Sequence, residues 1–136
     1  AVKTIPMSGR VFTLIGSLAA SISVLAGAFG AHALADSLGD RADVYETAVR
    51  YQMYHAVALV LVGLLRSRIE SGILAAAGWC FVGGIVLFSG SLYALVILDL
   101  PVLGALAPVG GLGFVAGWLL FGAGVWHARR PTTNDR

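Results

Sequence analysis

The residues of this sequence that are able to do acid–base or hydrogen-bonding chemistry lie inside or beside long apolar stretches. Glu46 and Arg50 are four residues apart, the spacing at which a carboxylate and a guanidinium meet on one face of a helix. His55 follows Tyr51 by one helical turn, and His32 ends another apolar run. Ionisable groups at such positions normally face a bundle interior and mark functional sites, so these residues are the first candidates.

The same residues do not form a recognisable catalytic or metal-binding pattern. No His or Cys pair has metal-ligand spacing, and no Ser, His and carboxylate arrangement is legible. Gly110-Gly-Leu-Gly113 lies within an apolar stretch and follows no strand, so a nucleotide-binding loop is not expected. Cys80 is the single cysteine and forms no intramolecular disulfide. We therefore predict no catalytic residues, no metal and no cofactor.

The composition shows which elements must position these side chains. Of the 136 residues, 58% are hydrophobic and 12% are charged, and the mean hydropathy is +0.87. A membrane span needs about 20 predominantly apolar residues. Four stretches of this kind are present, Val11 to Ala35, Tyr51 to Leu65, Gly72 to Leu98 and Leu100 to Ala128. The prediction is an all-α polytopic membrane protein, a four-transmembrane-helix bundle forming one domain over 1–136, with helices at about 10–35, 43–66, 71–98 and 108–128.

The basic residues are concentrated in alternate connections between the apolar stretches. With four spans, the segment before the first span, the connection between the second and third spans and the segment after the fourth span share one side of the membrane. These three segments contain Lys3, Arg10, Arg66, Arg68, Arg129, Arg130 and Arg136. Cytoplasmic loops collect Lys and Arg, so both termini are predicted to be cytoplasmic. The net charge of +2 is read as this topology signal rather than as a nucleic-acid site. A signal peptide cleaved after Ala33 is disfavoured, because its apolar region would be about 25 residues rather than 7 to 15.

The second apolar stretch is too short to cross the membrane alone. The 15 uncharged residues between Arg50 and Arg66 cover about 24 Å, short of a hydrocarbon core of about 30 Å. The helix must begin upstream, with Asp43 as its expected N-cap, and take Glu46 or Arg50 below the outer boundary. An ionisable group there costs up to about 2.5 to 3.5 kcal/mol. Arg50 either faces the bundle interior or snorkels to the interface.

Counting residues from the cytoplasmic boundary predicts where the polar side chains lie. His32 and Glu46 fall at about 30 Å, and His55 at about 16 Å. We expect a polar chamber under the outer surface, with His55 below it, formed by His32, Glu46, Arg50, Tyr51, Ser89 and Tyr93. Each tyrosine has a simpler interpretation as part of an interfacial aromatic belt, as do Trp79, Trp118 and Trp126.

Small residues recur at helical spacing in three of the stretches. Such stripes let transmembrane helices approach closely, so each is expected to pack against another helix. The first stripe is Gly16, Ala20, Ser23, Gly27 and Gly30; the second is Ala76, Gly83 and Gly90; the third is Gly110, Gly113, Gly117 and Gly124. Between the second and third stripes, residues 100–107 are expected to form an outer-face loop or a brief re-entrant dip.

Four blocks of the sequence resemble the signature blocks of a known family. They are Gly27-Ala-Phe-Gly-Ala-His32-Ala-Leu34, Glu46-Thr-Ala-Val-Arg-Tyr-Gln-Met-Tyr-His-Ala56, Leu87-Phe-Ser-Gly-Ser-Leu-Tyr93 and Pro108-Val-Gly-Gly-Leu112. In this order they are similar to the small four-helix membrane family catalogued as domain of unknown function 423, over about 7–126. The family is similar to bacterial inner-membrane proteins and to a small mitochondrial membrane protein. The resemblance implies a multi-pass protein of the bacterial inner membrane, and it implies no activity.

Two functions of different kinds follow as expectations. The first is a non-enzymatic accessory or scaffold subunit, which packs against a larger membrane complex or its own copies through glycine-striped helices, with Glu46 and Arg50 as an internal brace. The alternative is binding or transport of a small quinone-like or lipid ligand in the polar chamber. The expected surroundings are the lipid bilayer in either case.

Overall fold

The structure is a computed structural model that describes residues 7–128. Lys3, Arg129, Arg130 and Arg136 lie outside this range. Within it, four helical segments are long and apolar enough to cross a membrane. The first is α1, Met7–His32. It ends about three residues earlier than expected, because the chain turns at Ala33 and begins a separate short helix, α2, Ala35–Leu38.

The second long helix is α3, Ala42–Arg66, preceded by the 3₁₀ turn Gly39–Arg41. The expected N-cap at Asp43 is wrong. Arg41 is the cap residue and makes no side-chain cap hydrogen bond, because the 3₁₀ turn leads directly into the helix and places Asp43 in its first turn. The carbonyl of Asp43 accepts a hydrogen bond from Thr47 Oγ1 at 2.8 Å.

The third long segment, Gly72–Leu98, is one continuous helix with a change of winding in its middle. It consists of α4, Gly72–Gly84, a π-helical stretch, Ile85–Gly90, and α5, Ser91–Leu98. Ser71 caps its beginning by accepting a hydrogen bond from the Leu74 N–H at 3.3 Å. Single π-helical turns are rare and occur often at functional positions.

A 3₁₀ helix, Pro101–Leu106, runs directly into α6, Ala107–Trp126. This segment was expected to be a loop or a re-entrant dip; it is instead a short helical lead into the last span. Pro108 lies in the first turn of α6, where the missing N–H of proline leaves no helical bond unmade. At the same end of the bundle, the guanidinium of Arg41 forms an ion pair with Asp99 and joins the two connections there.

The helices pack as two antiparallel pairs, α1 with α3 and α4 with α6, and α3 also contacts the Gly72–Leu98 segment. Glycines allow the closest approaches. A Cβ at Gly16 would meet the Ala56 carbonyl oxygen at 2.7 Å, and a Cβ at Gly110 would overlap the backbone of Phe88. The first and third small-residue stripes thus lie inside the bundle. The core between the pairs is apolar and includes Phe12, Leu59, Val62, Phe81 and Phe114.

The second small-residue stripe does not pack against another helix of this chain. Ala76 and Gly90 are exposed, and a Cβ built at Gly83 meets nothing within 4 Å. The expectation that this stripe packs against another helix is therefore not met within this chain and stays a prediction. The reason is that α4 meets α6 through a different face, on which Gly84 lies against Phe114.

Candidate functional site

Polar side chains on the inner face of α3 and of its neighbours bind backbone carbonyl groups across the helix interfaces. Ser23 on α1 is 1% exposed and donates to the Val49 carbonyl at 2.8 Å. In the opposite direction, the Tyr45 hydroxyl on α3 donates to the Ala26 carbonyl at 2.6 Å. The Tyr45 ring fills the space left by the missing side chain of Gly30. These bonds fix the register between α1 and α3.

Gln52 joins three helices through its two amide atoms. Its Nε2 donates to the Ala19 carbonyl on α1 at 2.8 Å, and its Oε1 accepts from the Tyr93 hydroxyl on α5 at 2.8 Å. Nearby, Ser89 in the π-helical stretch is fully buried and donates to the Ala48 carbonyl at 2.8 Å. In an apolar medium a polar group without a partner is costly, so these side chains hold α1, α3 and the Gly72–Leu98 segment together.

His55 lies further along the same face of α3, 4% exposed. Its Nδ1 is 2.6 Å from the Tyr51 carbonyl oxygen, and its Nε2 is 3.2 Å from the indole nitrogen of Trp118. The indole N–H is only a donor, so Nε2 must be the acceptor and the proton must be on Nδ1. Both ring nitrogens therefore have partners, and the geometry selects the neutral imidazole.

Aromatic rings enclose this imidazole. The Phe114 ring lies parallel to it, with centroids 3.4 Å apart and an interplanar angle of 5°. Phe81 and Trp118 lie at 5.7 Å and 6.1 Å, and Tyr51 at 6.0 Å. Trp118, expected as an interfacial anchor, is thus a hydrogen-bonding partner in the bundle, whereas Trp79 is 58% exposed and packs edge-on against Phe12.

Four of the seven candidate residues lie on the outer surface of the bundle. Glu46 and Arg50 form the expected i, i+4 ion pair at 2.5 Å, but their side chains are 65% and 51% exposed. Tyr51 is 39% exposed. His32 is exposed at the last position of α1, and no side chain in the 7–128 range forms a hydrogen bond with it.

The predicted set therefore separates into two groups instead of lining one chamber. Ser89, Tyr93 and His55 point into the bundle, whereas His32, Glu46 and Arg50 lie at its surface. Tyr51 is exposed at one side and packs its ring against that of Phe88, with centroids 4.8 Å apart. The reason is helical geometry: residues 46, 50 and 54 follow one face of α3, and the buried residues 45, 48, 52 and 55 follow the opposite face. Glu46 and Arg50 consequently pair at the surface and not as an internal brace.

The sequence interpretation missed Gln52, although a carboxamide within an apolar span is itself a signal of an interhelical hydrogen bond. It also treated Ser23 only as a small residue and Tyr45 only as a belt residue. The available clue was position: Ser23 lies within the small-residue stripe of α1, and Tyr45 lies on the same face of α3 as the buried Ala48.

The buried polar groups of the interior are engaged in hydrogen bonds within the protein. In the part of the chain that the structure describes, every buried side-chain nitrogen and oxygen has a hydrogen-bond partner. The same residues contain no group of three His, Cys, Asp or Glu side chains placed to hold a metal ion. The inner polar groups therefore act as connections between helices.

Comparison with known proteins agrees with this architecture. Residues 26–111 match the family model described as a protein of unknown function, DUF423. A UPF0382 membrane protein of Staphylococcus haemolyticus is 44% identical over 112 residues, which cover 82% of this chain and 91% of the relative. The UPF0382 membrane protein YwdK of Bacillus subtilis is 42% identical over 113 residues, 82% of this chain and 92% of the relative. No solved structure matches the chain. The chain is a multi-pass membrane protein that belongs to the DUF423 family of proteins of unknown function.

Proposed function

We propose that this protein is a non-catalytic subunit that packs against another membrane-embedded polypeptide through the outer face of its Gly72–Leu98 segment. The observation that carries the proposal is the unpartnered stripe of Ala76, Gly83 and Gly90. The stripes of α1 and α6 are both used for close helix contacts inside the bundle. A third stripe with open space in front of it is suited to the same kind of contact with an external helix.

Larger residues alternate with the small ones on this surface. Trp79 and Val86 are 58% and 63% exposed, and they lie between Ala76, Gly83 and Gly90 at steps of three and four residues. Small residues beside larger exposed ones allow a second helix to approach closely, with side chains of one helix fitting beside those of the other. We call these five residues the outer seam. Its occupant is a transmembrane helix of a second copy or of a larger complex.

The hydrogen bonding of the buried polar side chains favours this function over the alternative. Transport or binding within a central chamber needs polar groups that are free to meet a ligand. Gln52, His55, Ser89 and Tyr93 instead each form a hydrogen bond with a neighbouring helix, and His55 also bonds to its own helix. A bundle braced in this way suits a subunit that presents a rigid surface.

The proposal includes an orientation in the bacterial inner membrane. Arg10, Arg66 and Arg68 lie at the end of the bundle that we assign to the cytoplasm. In a Cys80→Ala background, Ser37→Cys should react with a membrane-impermeant maleimide applied to spheroplasts, and Glu70→Cys should react only after the membrane is opened. Labelling in the reverse order would contradict this orientation.

The outer seam is tested by substitutions that the isolated bundle tolerates. Gly83→Leu places a bulky side chain in the seam, and Gly122→Leu is its matched control, because a Cβ at either position meets nothing within 4 Å. We expect Gly83→Leu to release the protein from its assembly, measured by the native mass of the particle extracted from its own membrane in polymer discs. An assembly equally intact in both variants would refute the seam as the contact surface.

A further inference from the structure

Aromatic side chains fill the space between α3 and α6. The Tyr51 ring on α3 packs against Phe88 with centroids 4.8 Å apart, and it lies 6.3 Å from the Phe114 ring on α6. Trp118 on α6 reaches α3 through its hydrogen bond to His55. These two helices therefore meet through rings, whereas α1 meets α3 through small residues.

The outermost of these rings are only partly covered by the bundle. Tyr51 and Trp118 are 39% and 44% exposed, and Tyr54, three residues further along α3, is 54% exposed. The Tyr54 ring lies 5.9 Å from that of Tyr51. We call Tyr51, Tyr54 and Trp118 the aromatic face. It is accessible to a molecule dissolved in the bilayer, unlike the buried polar side chains of the interior.

The polar atoms beside the aromatic face are able to bind a further partner. Within residues 7–128, neither the Tyr51 hydroxyl nor the Tyr54 hydroxyl forms a hydrogen bond. Arg50 interacts electrostatically with both tyrosines and donates to Glu46 through Nη2. A guanidinium has five N–H donors, so others remain for a ligand.

The two tyrosines lie within the span rather than beyond its end. Tyr54 is 12 residues and Tyr51 is 15 residues from Arg66, at the end of α3 that we assign to the cytoplasm. These separations correspond to about 18 and 22 Å along the helix, against a hydrocarbon core of about 30 Å. A hydroxyl without a partner is costly in such a medium. An apolar molecule that carries hydrogen-bond acceptors would remove this cost.

The charges beside the aromatic face favour an uncharged ligand. Glu46 is paired with Arg50, so the two together offer no excess positive charge to an anion such as a phosphate. The guanidinium and both hydroxyls are able to donate. The ligand that fits is therefore uncharged, accepts hydrogen bonds and has a flat ring that packs against aromatic side chains.

We propose that the aromatic face binds a lipid-soluble quinone. One quinone carbonyl accepts from the Arg50 guanidinium and the other from the Tyr54 hydroxyl, one helical turn or about 6 Å further along α3. The quinone ring lies against the exposed side of Tyr51. The apolar tail follows the surface of α3 beyond Tyr54, where Val57 and Leu61 are 50% and 43% exposed. A mostly apolar, aromatic surface with a few placed polar groups is typical of small-molecule sites.

The test uses the full chain in lipid discs, with a benzoquinone that carries a decyl tail as the probe. The quinone content of these discs is compared with that of empty discs of the same lipid as the probe concentration rises. We expect one additional, saturable quinone for each chain. Decylbenzene, which has a ring and the tail but no carbonyl, should partition equally into both kinds of disc. Equal quinone contents with and without the protein would overturn the proposal.

Variants of the donors locate the site. Tyr54→Phe removes a hydroxyl that has no partner within residues 7–128, and Tyr45→Phe is its matched control, because the Tyr45 hydroxyl already donates to the Ala26 carbonyl. Tyr54→Phe and Arg50→Gln should each weaken quinone binding about fivefold, the loss typical of one hydrogen bond, and Tyr45→Phe should leave it unchanged. Undiminished binding by both Tyr54→Phe and Arg50→Gln would mean that acceptors of the surrounding lipid meet these donors, and it would overturn the proposal. Neither result bears on the outer seam, which lies on the Gly72–Leu98 segment.

Discussion

The indole N–H of Trp118 on α6 donates to Nε2 of His55 on α3, 63 residues away in the chain, over 3.2 Å. This bond determines the protonation of the imidazole: with Nε2 as acceptor, Nδ1 carries the proton and donates it to the Tyr51 carbonyl. A histidine that looked like a functional group in the sequence is thereby a connection between the two helix pairs of the bundle.

Replacing Trp118 by Phe should lower the stability of the bundle, because Nε2 of His55 then has no partner in an apolar environment. We expect Trp118→Phe to cost about 1 kcal/mol more than Trp79→Phe, a figure typical of hydrogen bonds between transmembrane helices. Trp79 is the matched control, since its ring packs against Phe12 and no hydrogen bond of its indole is present within residues 7–128. The free energy of unfolding in mixed micelles with increasing dodecyl sulfate measures both. Equal losses would mean that the bond contributes nothing.

Gln52 and Tyr93 should be energetically coupled. Gln52→Leu leaves the Tyr93 hydroxyl without its acceptor, and Tyr93→Phe leaves the Gln52 Oε1 without its donor. We expect the double mutant to be less destabilised than the sum of the single mutants by about 1 kcal/mol. The same unfolding experiment gives this coupling energy, and additive losses would contradict a direct hydrogen bond.

The Glu46–Arg50 pair should contribute modestly and as a unit. Exposed ion pairs contribute about 0 to 1 kcal/mol, but removal of one partner leaves a charge at the hydrocarbon boundary. Glu46→Ala and Arg50→Ala are each expected to lower the free energy of unfolding slightly, with the double mutant little worse than either. A double mutant that loses the sum of both would argue against the pairing.

Glycine substitutions should separate inner positions from outer ones. A Cβ at Gly110 overlaps the backbone of Phe88, which cannot move aside as a flexible side chain does, and a Cβ at Gly122 meets open space. Gly110→Ala should therefore cost about 1 to 3 kcal/mol through overpacking. Gly122→Ala should be neutral within about 0.5 kcal/mol. A neutral Gly110→Ala would contradict the close approach of α6 to the π-helical stretch.

The sequence was sufficient to predict the helical membrane class and the i, i+4 contact of Glu46 with Arg50, because hydropathy and helical spacing are local properties. It did not predict which way that pair faces. The direction depends on which side of α3 meets α1, and the determining bonds, such as Ser23 to the Val49 carbonyl, join residues 26 positions apart. The π-helical stretch Ile85–Gly90 also has no signal that we recognised in the sequence.

The single chamber failed as a prediction because the levels were estimated along each helix, without the rotation about its axis. His32 and Glu46 do lie near the same end of the bundle, because Ala31 and Glu46 line one groove between α1 and α3. Tyr93 and Ser89 reach α3 from the opposite side, where Gln52 and the Ala48 carbonyl receive them. A residue count gives depth, and only packing gives direction.

The most direct test of the proposed subunit function is the native mass of the particle extracted from its own membrane in polymer discs, compared for the unmodified chain, Gly83→Leu and Gly122→Leu. The account predicts that the unmodified chain and Gly122→Leu emerge with additional polypeptide mass, and that Gly83→Leu emerges as a single chain. Bound phospholipid is too small to be mistaken for polypeptide. An unmodified chain that emerges alone, or a Gly83→Leu variant that keeps its partner, would contradict the account.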